Sequence, residues 1–265
     1  MLPTFIGIGA QRAGTTWAYN CLAEHPDVFM TNKKELHFFY VNYGRGLEWY
    51  EQQFAEAGNA RARGEITPDY MYHESALRNI AKDIPDARLF VVLRNPIDRA
   101  VSQYALHRDR FGNAPFSAVS TPDSELVVRG LYFQHLQMVY SYFSSDQVRV
   151  LLYDDLSTRP GEFLEDLYGF VGVDTGFRPP SLQTRYNRVI YPGFQKVLLG
   201  SGLGWIIDGV KKTGLGEWIR QRNAGDRRDD GFATSQDLAR LRGYFRSDVE
   251  NLSRLLSRDL GNWLQ

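Results

Sequence analysis

Apolar stretches alternate with segments of helical periodicity along this chain of 265 residues. Three apolar runs predict buried strands at residues 4–9, 88–93 and 148–153. A segment with helical character follows each run, at residues 15–24, 97–108 and 160–171. Strands that alternate with helices are typical of an α/β fold, in which helices cover both faces of a central parallel sheet.

Further helices are predicted at residues 47–54, 75–84, 124–143 and 234–258. The last of these has apolar residues three or four positions apart, which predicts one apolar face. We expect that face to pack on the sheet, so that the C-terminal segment 234–265 belongs to the core.

Two polar segments interrupt this pattern. Residues 175–192 are rich in Pro, Arg and Asn and predict a long loop. Residues 200–231 carry many glycines and charges, which predicts a mobile insertion or lid rather than a second domain. The whole chain, 1–265, is therefore expected to form a single domain.

Composition excludes several classes of protein. The 31 Lys and Arg residues balance 31 Asp and Glu residues, so the chain lacks the overall positive charge that nucleic-acid binding normally needs. One cysteine builds neither a disulfide framework nor a zinc cluster, and it favours a reducing compartment. No apolar run reaches the roughly 18 residues of a membrane span. We expect a cytoplasmic protein without a membrane span or a nucleic-acid partner.

A glycine-containing turn, GAQRAGTT at residues 9–16, joins the first predicted strand to its helix. In this position the backbone N–H groups at the start of a helix bind phosphate oxygens. The fold is therefore expected to be P-loop-like, although Thr15 stands where a P-loop has its lysine, and the cation of the turn is Arg12 instead. The alternative is a capped turn with an exposed arginine. The candidate anion-binding residues are Arg12, Ala13, Gly14, Thr15 and Thr16.

A second phosphate contact is predicted after the strand at 88–93. Arg94 leaves the carboxyl end of this strand, which is the edge where open parallel sheets bind ligands. Ser102 follows eight residues later, in the next predicted helix. The structural alternative is that Arg94 pairs with Asp98 and that Ser102 is a small core residue.

Four further motifs follow in order: KELHFF at 34–39, GLEWY at 46–50, TPDY at 67–70 and RGLY at 129–132. Together with the two phosphate-binding segments, they resemble the sulfotransferases that use 3′-phosphoadenosine 5′-phosphosulfate (PAPS), and in particular the heparan-sulfate sulfotransferase-like branch. The resemblance extends over residues 4–172 and includes the closing segment 256–264. It implies an enzyme that transfers a sulfuryl group from PAPS and releases 3′,5′-adenosine bisphosphate (PAP).

The resemblance also implies which residues bind the donor. The turn 12–16 is implied to hold the 5′-phosphosulfate, and Arg94 and Ser102 the 3′-phosphate. Arg129 and Arg188 are implied as further donor contacts. No metal ion is implied, because positioning and cations do most of the work in such a transfer.

Catalysis is assigned by the same resemblance to Glu35, His37 and Arg12. Glu35 matches the general base that takes the proton of the acceptor, and His37 is the rival base. Arg12 is implied to stabilise charge on the leaving phosphate.

One departure from the family concerns the acceptor. Residues 65–68 read EITP, where the glucosaminyl 3-O branch has a lysine in place of Ile66. The acceptor therefore stays open among a small molecule, a carbohydrate, a lipid and a carrier-bound group, through either oxygen or nitrogen. A bacterial-type cytoplasmic member is expected, because the membrane anchor and the late cysteine pair common in the Golgi enzymes of this family are not found, and the oligomeric state is open.

Two other functions compete with this interpretation. A P-loop kinase or NTPase would use the predicted strand end at 150–155, VLLYDD, to hold magnesium, but it would lack its lysine. A non-catalytic nucleotide-binding protein on the same fold would bind PAP without transferring a sulfuryl group.

Overall fold

A computed structural model describes residues 1–183 and 232–265. Five parallel strands form its central sheet in the order β2-β3-β1-β4-β5. The strands are β1 (Phe5–Gly9), β2 (Val28–Met30), β3 (Ala62–Ile66), β4 (Arg88–Leu93) and β5 (Val148–Leu152). Helices flank this sheet, which confirms the predicted single-domain, P-loop-like α/β fold.

The central strand, β1, lies between β3 and β4 and is buried along its whole length. Its neighbours approach so closely at Gly7 that a Cβ atom there would lie 2.6 Å from Phe90 Cζ. Because the three strands are parallel, the loops that follow them meet at one edge of the sheet. The predicted phosphate turn, Arg94 and the TPDY motif all lie at this edge.

The helices follow most of the predicted segments. They are α1 (Thr15–Ala23), α2 (Leu47–Gln52), α3 (Glu74–Asp83), α4 (Pro96–Leu106), α5 (Phe116–Val119), α6 (Glu125–Val128), α7 (Tyr132–Tyr140), α8 (Tyr153–Thr158), α9 (Pro160–Val171) and α10 (Ser235–Leu256). A π-helical turn, Phe38–Asn42, follows the KELHFF motif. Both α4 and α9 begin at a proline, whose missing N–H is not needed in the first turn.

The single helix predicted at 124–143 is wrong, because the segment forms two helices, α6 and α7. Between them, Gly130 packs so tightly that an added Cβ would lie 2.6 Å from Phe245 Cε1. The start of α7 is held by Asp248, whose carboxylate oxygens accept hydrogen bonds from the backbone N–H groups of Phe133 (3.0 Å) and Gln134 (3.3 Å). The C-terminal helix, α10, therefore contacts both Gly130 and the start of α7.

The expectation that the C-terminal helix packs on the sheet is wrong. α10 packs mainly on α7 and α4 and on the closing turn Gly261–Leu264, so it forms an outer layer against other helices. Its buried apolar residues, Leu241, Phe245, Val249 and Leu252, join the same continuous core as the strands.

The sequence pattern did not predict two of the strands, β2 and β3. β2 has only three residues, and β3 carries Arg63 and Glu65 within a sequence of five residues. Polar residues inside a central strand hide the apolar run by which buried parallel strands are identified.

Some predictions fall on residues 184–231, outside the described residues. These are Arg188 and the insertion or lid at 200–231. The predicted loop at 175–192 is described as far as residue 183, where Pro180–Gln183 forms a 3₁₀ turn. Within the described ranges, no helix is both long enough and apolar enough to cross a bilayer.

Candidate functional site

The turn between β1 and α1 has the features of an anion site. Gly14 precedes the helix with φ +91°, and a Cβ there would lie 2.7 Å from Leu156 Cδ2, so glycine is required. No side chain in the described part of the chain caps α1. The N–H groups of Thr15 and Thr16 lack an acceptor within the helix and are therefore available to phosphate oxygens. Ala13 is buried beneath this turn.

Arg12 connects the turn to α4. Its backbone has a left-handed φ of +65°, which non-glycine residues seldom adopt. Its Nε donates a hydrogen bond to Ser102 Oγ over 3.0 Å. The structure thus brings together two residues that were predicted for opposite ends of the donor. Burial and the neighbouring Arg94 guanidinium lower the pKa of Arg12, since both disfavour its charged form.

Arg94 extends from the carboxyl end of β4 toward the same turn. Its Nη1 donates to the carbonyl oxygen of Arg12 over 3.3 Å, and its guanidinium lies 5.0 Å from the centre of the Tyr153 ring. Asp98 Oδ2 is 3.9 Å from Nη2, so the predicted ion pair is present but long. Ser102 is only partly buried, so the interpretation of this serine as a core residue is wrong.

Glu35 and His37 lie between β2 and the π-helical turn, and both have left-handed backbones with φ +64° and +49°. Glu35 Oε1 accepts a hydrogen bond from Lys34 Nζ over 2.5 Å, and Glu35 Oε2 is 3.8 Å from His37 Nε2. Their side chains remain 39% and 31% exposed, so an acceptor can reach them. Strained backbone at adjacent polar residues is typical of functional sites.

A buried carboxylate stands behind this pair. Glu65 is fully buried on β3 and accepts hydrogen bonds from Tyr50 Oη (3.0 Å), Tyr70 Oη (2.8 Å) and Thr67 Oγ1 (2.7 Å). Burial raises the pKa of Glu65, while these hydroxyls and the backbone N–H of Leu36 act in the opposite direction. Sequence analysis singled out the EITP segment but gave Glu65 no role.

Glu65 holds the strained segment through the hydroxyl groups that donate to it. The backbone N–H of His37 donates to Thr67 Oγ1 over 3.4 Å, and that of Phe38 donates to Tyr70 Oη over 2.9 Å. The two hydroxyls donate in turn to Glu65. The buried carboxylate therefore fixes the backbone that presents the predicted base.

Asp69 joins the donor side of the site to the acceptor side. It accepts hydrogen bonds from Gln11 Nε2 (2.8 Å) in the phosphate turn and from the Arg129 guanidinium, and its second oxygen accepts from Tyr40 Oη (3.2 Å). Tyr40 Oη also lies 2.9 Å from His37 Nδ1. Asp69 was not a predicted site residue, and the TPDY motif was the only sequence signal that pointed to it.

Arg129 belongs to this network. In addition to Asp69, it pairs with Glu125, whose Oε1 is 3.2 Å from Nε, and its guanidinium lies 4.9 Å from the centre of the Tyr72 ring. Its predicted contact with the donor stays a prediction.

The strand end that a kinase would use has other partners. Asp154 accepts hydrogen bonds from Trp263 Nε1 (3.1 Å) and Asn262 Nδ2 (3.3 Å), and Asp155 pairs with Arg159 (3.0 Å) and Arg258 (2.6 Å). These carboxylates anchor the C-terminal segment. The geometry gives no support to the kinase or NTPase alternative.

The site combines a turn that carries Arg12, a second arginine at the neighbouring strand end and a Glu-His pair. A family model agrees with this combination. Residues 3–190 match the family model described as the sulfotransferase domain. The chain belongs to the sulfotransferase family. Membership of this family favours the sulfotransferase interpretation over the kinase or NTPase interpretation.

Two curated relatives are similar to this chain in sequence, and one solved structure is similar to it in fold. The human bifunctional heparan sulfate N-deacetylase/N-sulfotransferase 2 is 30% identical over 291 residues, which covers 100% of this chain and 31% of that protein. The mouse heparan sulfate glucosamine 3-O-sulfotransferase 6 is 30% identical over 181 residues, 64% of this chain and 52% of that protein. This sulfotransferase thus spans from a third to a half of these relatives.

The solved sulfotransferase from Alicyclobacillus acidocaldarius has the same fold, with a TM-score of 0.74 over 100% of both chains and 22% identity.

Proposed function

We propose that this sulfotransferase uses PAPS as its donor and binds it through the turn 12–16, Arg94 and Ser102. The observation that carries the proposal is the pair of guanidiniums, Arg12 and Arg94, beside the uncapped start of α1. Two adjacent like charges repel each other, and an anion with more than one phosphate-type group relieves that repulsion. PAPS carries such groups at its 3′ and 5′ positions.

The proposed reaction is an in-line displacement at sulfur. The acceptor oxygen or nitrogen forms a bond to sulfur, while the bond from sulfur to the bridging phosphate oxygen breaks and its electron pair leaves with PAP. Arg12 and the N–H groups of the turn stabilise the charge that grows on the leaving phosphate. Glu35 accepts the proton that the acceptor loses. The reaction therefore uses positioning, fixed cations and one base.

The proposed acceptor is a hydroxyl or an amine of a small-molecule, carbohydrate, lipid or carrier-bound compound. Both oxygen and nitrogen are included as acceptor atoms, because one relative is named as an N-sulfotransferase and another as a 3-O-sulfotransferase. Tyr40 is a partly exposed aromatic side chain beside the Glu-His pair, with its ring centre 5.7 Å from that of His37, and it offers one aromatic edge to such an acceptor.

The experiment is incubation of the full chain with [³⁵S]PAPS and a metabolite extract, followed by separation of labelled products. The expected result is a new labelled compound and an equal amount of PAP, both strongly reduced in Arg94→Ala. Arg88→Ala is the matched control, because Arg88 lies at the opposite end of the same strand and donates to a backbone carbonyl. Absence of PAP binding by calorimetry would overturn the proposed donor, whatever the extract contains.

A further inference from the structure

The carboxylate of Asp69 accepts hydrogen bonds on both of its oxygen atoms, from different parts of the site. Its Oδ1 accepts from Gln11 Nε2 over 2.8 Å and from the Arg129 guanidinium, and its Oδ2 accepts from Tyr40 Oη over 3.2 Å. The residue is 8% exposed, so water is largely excluded from these bonds. The Arg129 guanidinium has only donors, and Gln11 presents its Nε2, so Oδ1 acts as an acceptor.

The protons in the hydrogen-bond network of Asp69, Tyr40 and His37 can be counted. Tyr40 has one hydroxyl proton and donates it to Asp69. Burial and the nearby Asp69 raise the pKa of Tyr40 to about 12, so the hydroxyl keeps its proton at neutral pH. The 2.9 Å bond between Tyr40 Oη and His37 Nδ1 then needs a proton from the imidazole.

The opposite arrangement is unfavourable. If Tyr40 donated to His37 Nδ1, its oxygen would face Asp69 Oδ2 with no proton between them, 3.2 Å apart in a largely buried site. Two acceptors that face each other in this way lose their hydrogen bonds to water and gain none in exchange.

We propose that Asp69, acting through Tyr40, holds neutral His37 as the Nδ1–H tautomer, so that Nε2 offers its lone pair to Glu35 and passes on the proton that Glu35 collects. The relay step rests on the function proposed above, whereas the tautomer does not. Asp69 and Tyr40 are positioning residues, because they act on the reaction through His37.

The proton balance of the relay is simple. The acceptor loses its proton to Glu35 Oε2 as its bond to sulfur forms. Glu35 then transfers that proton to His37 Nε2, which is 3.8 Å away, across a gap that a small side-chain shift or one water molecule spans. The resulting imidazolium donates through Nδ1 to Tyr40, and Asp69 compensates its charge. Release of the proton to solvent restores both residues.

The proposal predicts that Asp69→Asn changes the tautomer of His37. Because Gln11 and Arg129 keep the amide oxygen on their side, the amide nitrogen replaces Oδ2 and donates to Tyr40 Oη. Tyr40 then donates to His37 Nδ1, so the imidazole proton moves to Nε2. The protonated Nε2 can no longer accept a proton from Glu35. The substitution reverses the tautomer with little change of shape.

The test is ¹⁵N NMR of protein labelled at histidine, recorded where the imidazoles are neutral, with His37 assigned through His37→Gln. We expect the Nδ1–H tautomer in the wild type, the Nε2–H tautomer in Asp69→Asn and loss of a fixed tautomer in Tyr40→Phe. Asp83→Asn is the matched control, because Asp83 accepts from Tyr43 Oη over 2.8 Å, and it should leave His37 unchanged. An Nε2–H wild type, or an unchanged Asp69→Asn, overturns the proposal.

Kinetics supplies the second readout. We expect Asp69→Asn to lower kcat by roughly 10² or more, in the range of general acid–base effects, with the KM for the acceptor and the affinity for PAP nearly unchanged. The double variant Asp69→Asn/Tyr40→Phe should lose no more than the larger single loss, because both act through one chain. A wild type that binds no PAP would contradict the proposed donor but leave the NMR result intact. Normal turnover in a tautomer-reversed variant would contradict the relay.

Discussion

Arg12 Nε donates a hydrogen bond to Ser102 Oγ across 3.0 Å, so the phosphate turn after β1 is tied to α4, which follows β4. These residues lie 90 positions apart in the chain. In the proposed function they serve the two phosphate groups of one donor. The bond therefore places the turn and α4 side by side.

Ser102→Ala removes this bond and one predicted ligand of the 3′-phosphate. We expect PAP to bind roughly 10- to 150-fold more weakly, since a hydrogen bond to a charged group contributes about 1.5 to 3 kcal/mol. Adenosine 5′-monophosphate, which lacks the 3′-phosphate, should lose less. Calorimetry on both nucleotides checks this, with the exposed Ser141→Ala as control. An equal loss for both would mean that Ser102 acts only on the fold of the turn.

Arg94→Ala removes a cation from the proposed 3′-phosphate site. We expect PAPS to bind more weakly by about 1 to 3 kcal/mol, which is the contribution of a charged hydrogen bond. Adenosine 5′-phosphosulfate should be affected much less. Competition binding of the two donors measures the difference. If both weaken equally, Arg94 has a structural role through its bond to the Arg12 carbonyl.

Glu35→Gln keeps the size of the side chain but removes the proposed base. We expect kcat to fall by roughly 10² to 10⁴, the usual range for general-base catalysis, while PAP affinity stays nearly constant. Initial rates with a labelled acceptor, together with calorimetry, separate these effects. The control is Glu74→Gln, a carboxylate that accepts from Tyr142 Oη over 2.8 Å on an exposed surface. Full activity of the Glu35→Gln variant would remove Glu35 from the mechanism.

Glu65 makes the free energy of unfolding depend on pH, and the direction of its pKa shift determines whether stability rises or falls with pH. Burial raises its pKa in the folded state, so the folded chain binds a proton more tightly than the unfolded chain. The stability that this proton contributes is fully present below the unfolded pKa of about 4.3 and is lost as pH rises through the folded pKa. Relative to Glu65→Gln, the wild type should therefore lose stability with rising pH, by at most about 1.4 kcal/mol per pH unit.

Urea unfolding of both proteins at several pH values from 4 upward measures this difference. Other titrating groups, such as Asp248, are common to both chains and cancel. A difference that stays constant with pH would show that the four donors around Glu65 balance its burial, and a difference that grows with pH would show that they outweigh it.

Gly130→Ala tests the break between α6 and α7. The added methyl would lie 2.6 Å from Phe245 Cε1 and 3.0 Å from Pro96 Cβ, so we expect the free energy of unfolding to fall by about 1 to 3 kcal/mol. Gly243→Ala is the matched control, because it lies in α10 with no atom within 4 Å of the added Cβ. It should stabilise the protein by up to about 1 kcal/mol. An unaffected Gly130→Ala would mean that the helices can move apart.

Much of the fold could be predicted because its signals are local. The strand at 88–93 and the helix at 160–171 have the predicted bounds, since continuous apolar runs and helical periodicity depend only on neighbouring residues. The phosphate turn could be predicted for the same reason, because strand, glycine and helix follow one another within about 20 residues.

Sequence pattern was sufficient to predict the α/β class, the turn between β1 and α1 and the residue types of the proposed chemistry. The contacts among these residues became visible in the folded chain: Arg12 with Ser102, Glu65 behind the strained Glu-His loop, and Asp69 with Gln11, 58 positions away. Hydrophobic periodicity could not predict these contacts, because it reports only which face of an element is buried. Hydrogen-bond partners depend on where strand ends lie in the finished sheet, and the order β2-β3-β1-β4-β5 brings together loops that the chain keeps apart.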